Sequence, residues 1–179
     1  MNTQQTLNLK IKRLTDTATL PTKAHPQDAC FDIYADIPEE EYCIEKPLNM
    51  NNLSDIFFDV NNLTEQGKGV AIYPHQTVLI PTGFATEIPH GFWGAIFARS
   101  GLASKQGLRP AQGVPVIDEP YRGHWMIPLH NDSEETRIVH HGDRICQFML
   151  LPYFDTILTE VDNLSTTDRG EGGFGSSGV

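Results

Sequence analysis

The sequence ends in RGEGGFGSSGV, where Arg169 and Phe174 punctuate five glycines. A guanidinium set in backbone that can approach a ligand closely suits the wrapping of a phosphate, although a glycine-rich end is more commonly a disordered tail. Asp118, in PVIDEPYRGHW, is followed two residues later by Pro120, a pattern common in turns. Tyr121 in the same string has the bulk of a core aromatic. Arg99-Ser100-Gly101 reads as a strand end running into a helix, with Ser100 as the N-cap. His140-His141, ahead of Gly142-Asp143, reads as a strand end and turn, because no third ligand stands at zinc spacing. Taken alone, each of these residues has a plain structural explanation.

Charge gives the arginines more weight. The chain carries 13 Lys and Arg against 23 Asp and Glu, a net charge of −10, which argues against general binding to nucleic acid or an anionic membrane. A small polyanionic ligand would then call for a local arginine cluster and a divalent cation. No apolar run approaches the length that spans a bilayer, and the polar start MNTQQTLNLK does not read as a signal peptide, so a cytoplasmic protein is expected. Cys30, Cys43 and Cys146 share no CxxC spacing and read as reduced, packed thiols.

The elements that must hold these residues are strands. A length of 179 residues suits a single domain. Strand-like strings recur at 7–14, 30–35, 69–74, 77–88, 92–98, 124–131, 136–141 and 144–154, separated by turns such as PTG, PHG, HND and HGD. Short strands at such spacing predict an all-β barrel or jelly roll. One short helix is expected in SGLASKQGL (100–108). Residues 37–68 differ: they are acidic, rich in asparagine and carry one apolar knot, Ile56-Phe57-Phe58. They read as a surface insertion or as an element that binds a protein partner.

In order, DACFDIYA (28–35), ARSGLASKQGL (98–108), RPAQGVPVIDEPYRGHW (109–125), HHGDRICQ (140–147) and RGEGGFGSSG (169–178) resemble the five motifs of the homotrimeric dUTP diphosphatases. Five strings in order are far more specific than any one of them. The resemblance runs from about residue 7 to the C-terminus, interrupted by 37–68. It implies a jelly-roll-like β-barrel domain spanning 1–179, assembled as a homotrimer, with a mobile C-terminal arm at about 165–179.

The activity so implied is hydrolysis of dUTP to dUMP and pyrophosphate, with water attacking the α-phosphorus and Mg²⁺ required, which keeps uracil out of DNA. Asp118 matches the water-activating carboxylate. An ordinary aspartate is a weak base, so positioning and charge stabilisation must do most of the work. Arg99, Ser100, Gly101 and Gln147 match phosphate-binding positions. Asp32 matches the aspartate that sits near Mg²⁺ through bound water, the ion being held mainly by substrate phosphates. The segment Gln112–Met126 is expected to form a hairpin that accepts the uracil edge through its main chain, Val116 and Ile117 included, with Met126 against the base. Tyr121 matches the residue that packs on deoxyribose and leaves no room for a 2′-hydroxyl. Arg169, Phe174 and Gly175 match a lid, the arginine on the terminal phosphates and the ring over the uracil.

Three positions depart from the pattern. Gln112 stands where asparagine is usual, Pro115 replaces a common glycine, and Pro120 precedes Tyr121 where an acidic or small residue is usual. Two rival readings stay open. One is a dCTP deaminase, although MIPLHN (126–131) lacks the glutamate that family usually places there. The other is a binding module that uses 37–68 to hold a partner.

Overall fold

The structure, a computed structural model, describes residues 6–37 and 69–173. Cys43, Ile56-Phe57-Phe58, Phe174 and Gly175 lie outside the described residues. The described chain is all-β with one short helix, as its alternating strings predict. In chain order the elements are β1 (Lys10–Arg13), β2 (Phe31–Tyr34), β3 (Gly69–Ile72), β4 (Thr77–Pro81), β5 (Phe84–Glu87) and β6 (Phe92–Phe97). There follow α1 (Ser100–Gln106), β7 (Leu108–Pro110), β8 (Val116–Ile117), β9 (Met126–Asn131), β10 (Arg137–His140) and β11 (Arg144–Pro152). They pair as β1-β5, β10-β3, β2-β11-β6-β8 and β4-β9-β7.

All four sheets feed one core. Along β9 the two-residue period sends Ile127, Leu129 and Asn131 inward and leaves Met126, Pro128 and His130 nearer the surface. Ile33, Ile96 and Phe148 from the four-stranded sheet meet Ile80, Leu108, Ile127 and Leu129 from the three-stranded sheet. Trp125 lies between Phe84 and Phe148, its centroid 5.2 Å from the first ring and 5.1 Å, edge-on, from the second. Such pairs contribute ~0.5–1.5 kcal/mol each beyond the area they bury. Cys146 is a buried free thiol and Cys30 a part-buried one.

Four local expectations change. The string 77–88 is two strands, broken at Thr82-Gly83. Gly83 has φ +71, and a Cβ there would meet an oxygen of Asp36 at 2.3 Å. The two amides freed by the break, those of Thr82 and Gly83, donate to His124 Nε2 at 3.2 and 2.8 Å. Ser100 is not the N-cap of α1. Arg99 holds that position in an extended conformation without a side-chain cap, and Gly107 (φ 69) ends the helix. Ile37 is a core residue, 2% exposed, whose N–H donates to His141 Nδ1, so the excursion begins after it. Gly69 pairs with His140, which brings both ends of the excursion to the same end of β10. Lastly, β11 stops at Pro152, two residues short of the string 144–154.

Candidate active site

One half of the site is built around Asp32. On β2, Asp32 pairs in register with Gln147 of β11, which in turn pairs with Phe97 at the end of β6. The chain leaves β6 straight into α1, so Arg99, Ser100 and Gly101 arrive beside both. Arg99 Nε donates to Asp32 Oδ1 at 2.8 Å and Arg144 Nη1 to Oδ2 at 3.2 Å. Asp32 is buried, so the two guanidiniums are held side by side on one carboxylate, leaving a net positive charge. Gln147 Nε2 donates to the Ala98 carbonyl, which orients its amide. These residues, with Asp28, Ser100 and Gly101, line a pocket of about 380 Å³. Arg144, in the HHGDRICQ string, also faces this pocket. Asp143 is scaffold, its carboxylate accepting the His140 N–H at 2.7 Å.

The other half lies between β7 and β9. Those strands pair antiparallel, with Leu108 opposite Asn131, so the hairpin is longer than the expected Gln112–Met126 and 111–125 is its tip. The tip does not pair with itself. It lends β8 to the edge of the other sheet, where Val116 and Ile117 lie opposite Ala95 and Gly94. Asp118 follows, exposed, in a turn closed by the Tyr121 N–H on the Asp118 carbonyl at 3.0 Å. The Tyr121 hydroxyl donates to the His124 carbonyl at 2.9 Å. Gly123 makes room for that ring, since a Cβ on it would stand 2.5 Å from the hydroxyl. Gln112 and Val116 are exposed, and Met126 and Ile117 are part-buried on the same excursion. Pro115 is accommodated because its carbonyl, rather than an N–H, meets the sheet, accepting from Ile96 N at 3.1 Å.

The two halves stand apart in one chain. Asp32 and Phe97 share a register level, whereas β8 runs back along β6 toward Trp93. Strand spacings of ~4.8 Å across β2-β11-β6-β8, and a rise of ~3.3 Å per residue from Phe97 to Trp93, separate Asp118 from Asp32 by on the order of 20 Å. That exceeds the span from the α- to the γ-phosphorus of one triphosphate. Arg169 joins neither half. It is exposed, its Nε donating to the Gly172 carbonyl within a local turn.

Residues the motifs did not single out tie the hairpin tip in place. Glu119 Oε2 accepts from Tyr153 Oη at 2.6 Å and from Gly91 N at 2.9 Å, while both oxygens lie 3.1 Å from His90 Nδ1. The Tyr153 hydroxyl, the Gly91 amide and His90 together hold this carboxyl down to about 2. Burial pushes the His124 imidazole below its ordinary range, although Asp36 pulls the other way. Among the described residues no cluster of three or more His, Cys, Asp or Glu could hold a metal ion directly. No described helix is long and apolar enough to cross a membrane.

The described chain is thus an all-β subunit with a two-arginine pocket and, on the order of 20 Å from it, an exposed carboxylate on a hairpin tip. The family model for dUTPase matches residues 57–178, and the chain belongs to that family. A deoxyuridine 5′-triphosphate nucleotidohydrolase of Syntrophotalea carbinolica is 33% identical over 174 residues, covering 97% of this chain and 99% of the relative. One from Desulfitobacterium hafniense is 51% identical over 111 residues, covering 62% of this chain and 74% of the relative. The solved structure of the Staphylococcus bacteriophage 80alpha dUTPase with dUPNHPP is 26% identical, with a TM-score of 0.70, and covers 97% of this chain and 100% of that one.

Proposed function

We propose that the protein hydrolyses dUTP to dUMP and pyrophosphate in sites shared between the subunits of a homotrimer. The observation that carries this reading is the separation of the Asp32 pocket from Asp118 within one chain. Phosphates held by one subunit meet the carboxylate of another if copies assemble around the gap. The C-terminal segment supports assembly as well. Phe154, Ile157, Leu158 and Leu164 are each 86% exposed or more, an apolar surface that a second copy would cover.

In this mechanism Arg99, Arg144 and the Gln147 amide bind and orient the triphosphate, while the uncapped start of α1 offers Ser100 and Gly101 to its oxygens. Asp118 accepts a proton from the water that attacks the α-phosphorus, and pyrophosphate departs as the P–O bond breaks. Val116 and Ile117 present main-chain groups to the uracil edge, Met126 contacts the base, and Tyr121 packs on the deoxyribose. Gln112 supplies an amide at the root of that slot. Arg169 closes over the terminal phosphates, with Phe174 and Gly175 completing the lid over the base.

Both oxygens of Asp32 are engaged by arginines, so the pocket fits Mg²⁺ only as an ion carried on the phosphates and touched through water. There it would neutralise charge building on the leaving pyrophosphate. The structure of the phage phi11 dUTPase, 20% identical with a TM-score of 0.66, is described as revealing the coordination of a structural Mg(II) ion.

The test is pyrophosphate release with Mg²⁺ from dUTP, dCTP, dTTP and UTP. Release from dUTP far above the other three is expected. Conversion of dCTP to a uracil nucleotide would replace the reading with a deaminase, and an active monomer in light scattering would remove the shared site.

A further inference from the structure

The turn that carries Asp118 and Tyr121 gets little help from its own sequence. It runs Asp118-Glu119-Pro120-Tyr121, closed by the Tyr121 N–H on the Asp118 carbonyl. Proline in the third position of such a turn disfavours the helical conformation that a common turn needs in the residue before it. The strand leading in, β8, is two residues long and lies at a sheet edge. Something outside must hold the turn.

Glu119 is placed to do so. It is the turn's second residue, and its carboxylate leaves the hairpin to reach two other elements. At the β5–β6 turn it takes the Gly91 N–H and faces His90 Nδ1. At the end of β11 it takes the Tyr153 hydroxyl, while the Tyr153 N–H in turn bonds the Gly91 carbonyl at 3.0 Å. Arg122 closes the knot from the other side, donating to the Glu119 and Tyr121 carbonyls. Tyr153 is also the residue from which the exposed C-terminal segment departs.

We propose that Glu119 is a positioning residue for hydrolysis: bonded to Gly91, His90 and Tyr153, it fixes the turn that presents Asp118 and Tyr121 and ties that turn to the root of the C-terminal arm. The inference rests on the reading of Asp118 as the base. Displacing a catalytic group by about an ångström can cost on the order of 100-fold in rate while leaving phosphate binding to the distant arginines intact.

Three variants of the full chain test this against the active wild type: Glu119→Ala, Glu119→Gln and Tyr153→Phe. Glu119→Ala is expected to lower kcat roughly 10- to 100-fold with KM within about threefold. Hydrogen exchange at the Tyr121 amide should speed up, a readout independent of turnover. Glu119→Gln, whose amide oxygen can still accept from Gly91 and Tyr153, should recover most of the rate. Tyr153→Phe, which removes one donor without a cavity, should fall between them, and it decides the matter if Glu119→Ala does not fold. Variants with wild-type kcat and unchanged exchange would overturn the proposal, as would a Gln variant as impaired as Ala. A wild type inactive on dUTP would instead remove the underlying reading, whatever the exchange data show.

Discussion

Around Asp32 the charged groups are bonded to one another inside one chain: a buried carboxylate, two arginines on it, and a strand register that places Gln147 beside them. Around Asp118 nothing of that kind is present. That carboxylate is exposed at the tip of an excursion, and the contacts that hold the turn are made by its neighbour Glu119, outward to Gly91, His90 and Tyr153. On the proposed function, the contrast separates binding from chemistry. A prebuilt anion pocket costs little to reorganise when phosphate arrives, whereas a base left in water gains full effect only when another surface closes over it. The proposed site, split between subunits, would provide both.

Substitution at each pole should therefore give different losses, and this is the largest effect expected. Asp118→Asn is isosteric but cannot take up the proton, so turnover of dUTP should fall by ~10²–10⁴-fold. Affinity for a non-hydrolysed dUTP analogue, measured by calorimetry, should stay within about threefold. Asp32→Ala should do the reverse, weakening analogue binding and lowering the melting temperature, because two like-charged guanidiniums lose their common partner. Removing one member of a buried ion pair costs ~3–5 kcal/mol; Arg144 is half-exposed, so ~1–3 kcal/mol is expected here. Equal loss of binding in both variants would erase the distinction between the two regions.

The arm sharpens the comparison at the next level. Truncation after Asp168 removes Arg169 and the glycine string but spares the apolar residues from Phe154 to Leu164. The proposed trimer should persist in light scattering while kcat drops sharply, and Arg169→Ala should account for much of the fall. Full activity in the truncated trimer would make the string an ordinary tail.

How far these regions were legible in the sequence follows from the range of the interactions. Asp118, Tyr121, Arg99 and Arg169 stand in compact strings whose order is specific, and strand alternation announced the all-β fold. The ties of Glu119 to Gly91 and Tyr153 span 28 and 34 positions, and no local pattern encodes them. Arg144 was hidden for the same reason: its role depends on β11 pairing with β2. Ser100 failed as an N-cap because it is already the first helical residue, with Arg99 in the cap position, which leaves the serine lining the pocket. The break in 77–88 was visible as PTG, but its partner, His124, lies more than 40 residues away.

That partner carries the smallest prediction. Two backbone amides, from Thr82 and Gly83, point at His124 Nε2, so this nitrogen must be the unprotonated one. A proton there would face two donors, and burial adds to the cost, so the folded pKa lies below the ordinary ~6.5. The unfolded chain then binds more protons than the folded one just below that value. The stability due to neutral His124 is complete above pH ~6.5 and declines as pH falls through the folded pKa. One full proton of difference would give ~1.4 kcal/mol per pH unit, and a part-exposed ring gives less. Glu119, held near 2, contributes its own loss only below the ordinary carboxylate range of ~4.3, so the two windows do not overlap. Denaturant melts at pH 7.5 and pH 5.5 should show a modest loss in wild type that His124→Gln flattens, since the glutamine oxygen can accept from both amides and does not titrate. The same slope in both proteins would mean that the ring does not hold the β4–β5 break. If it does hold it, the His124 carbonyl that accepts the Tyr121 hydroxyl is anchored to the β4–β5 break, and the Tyr121 ring is fixed through it.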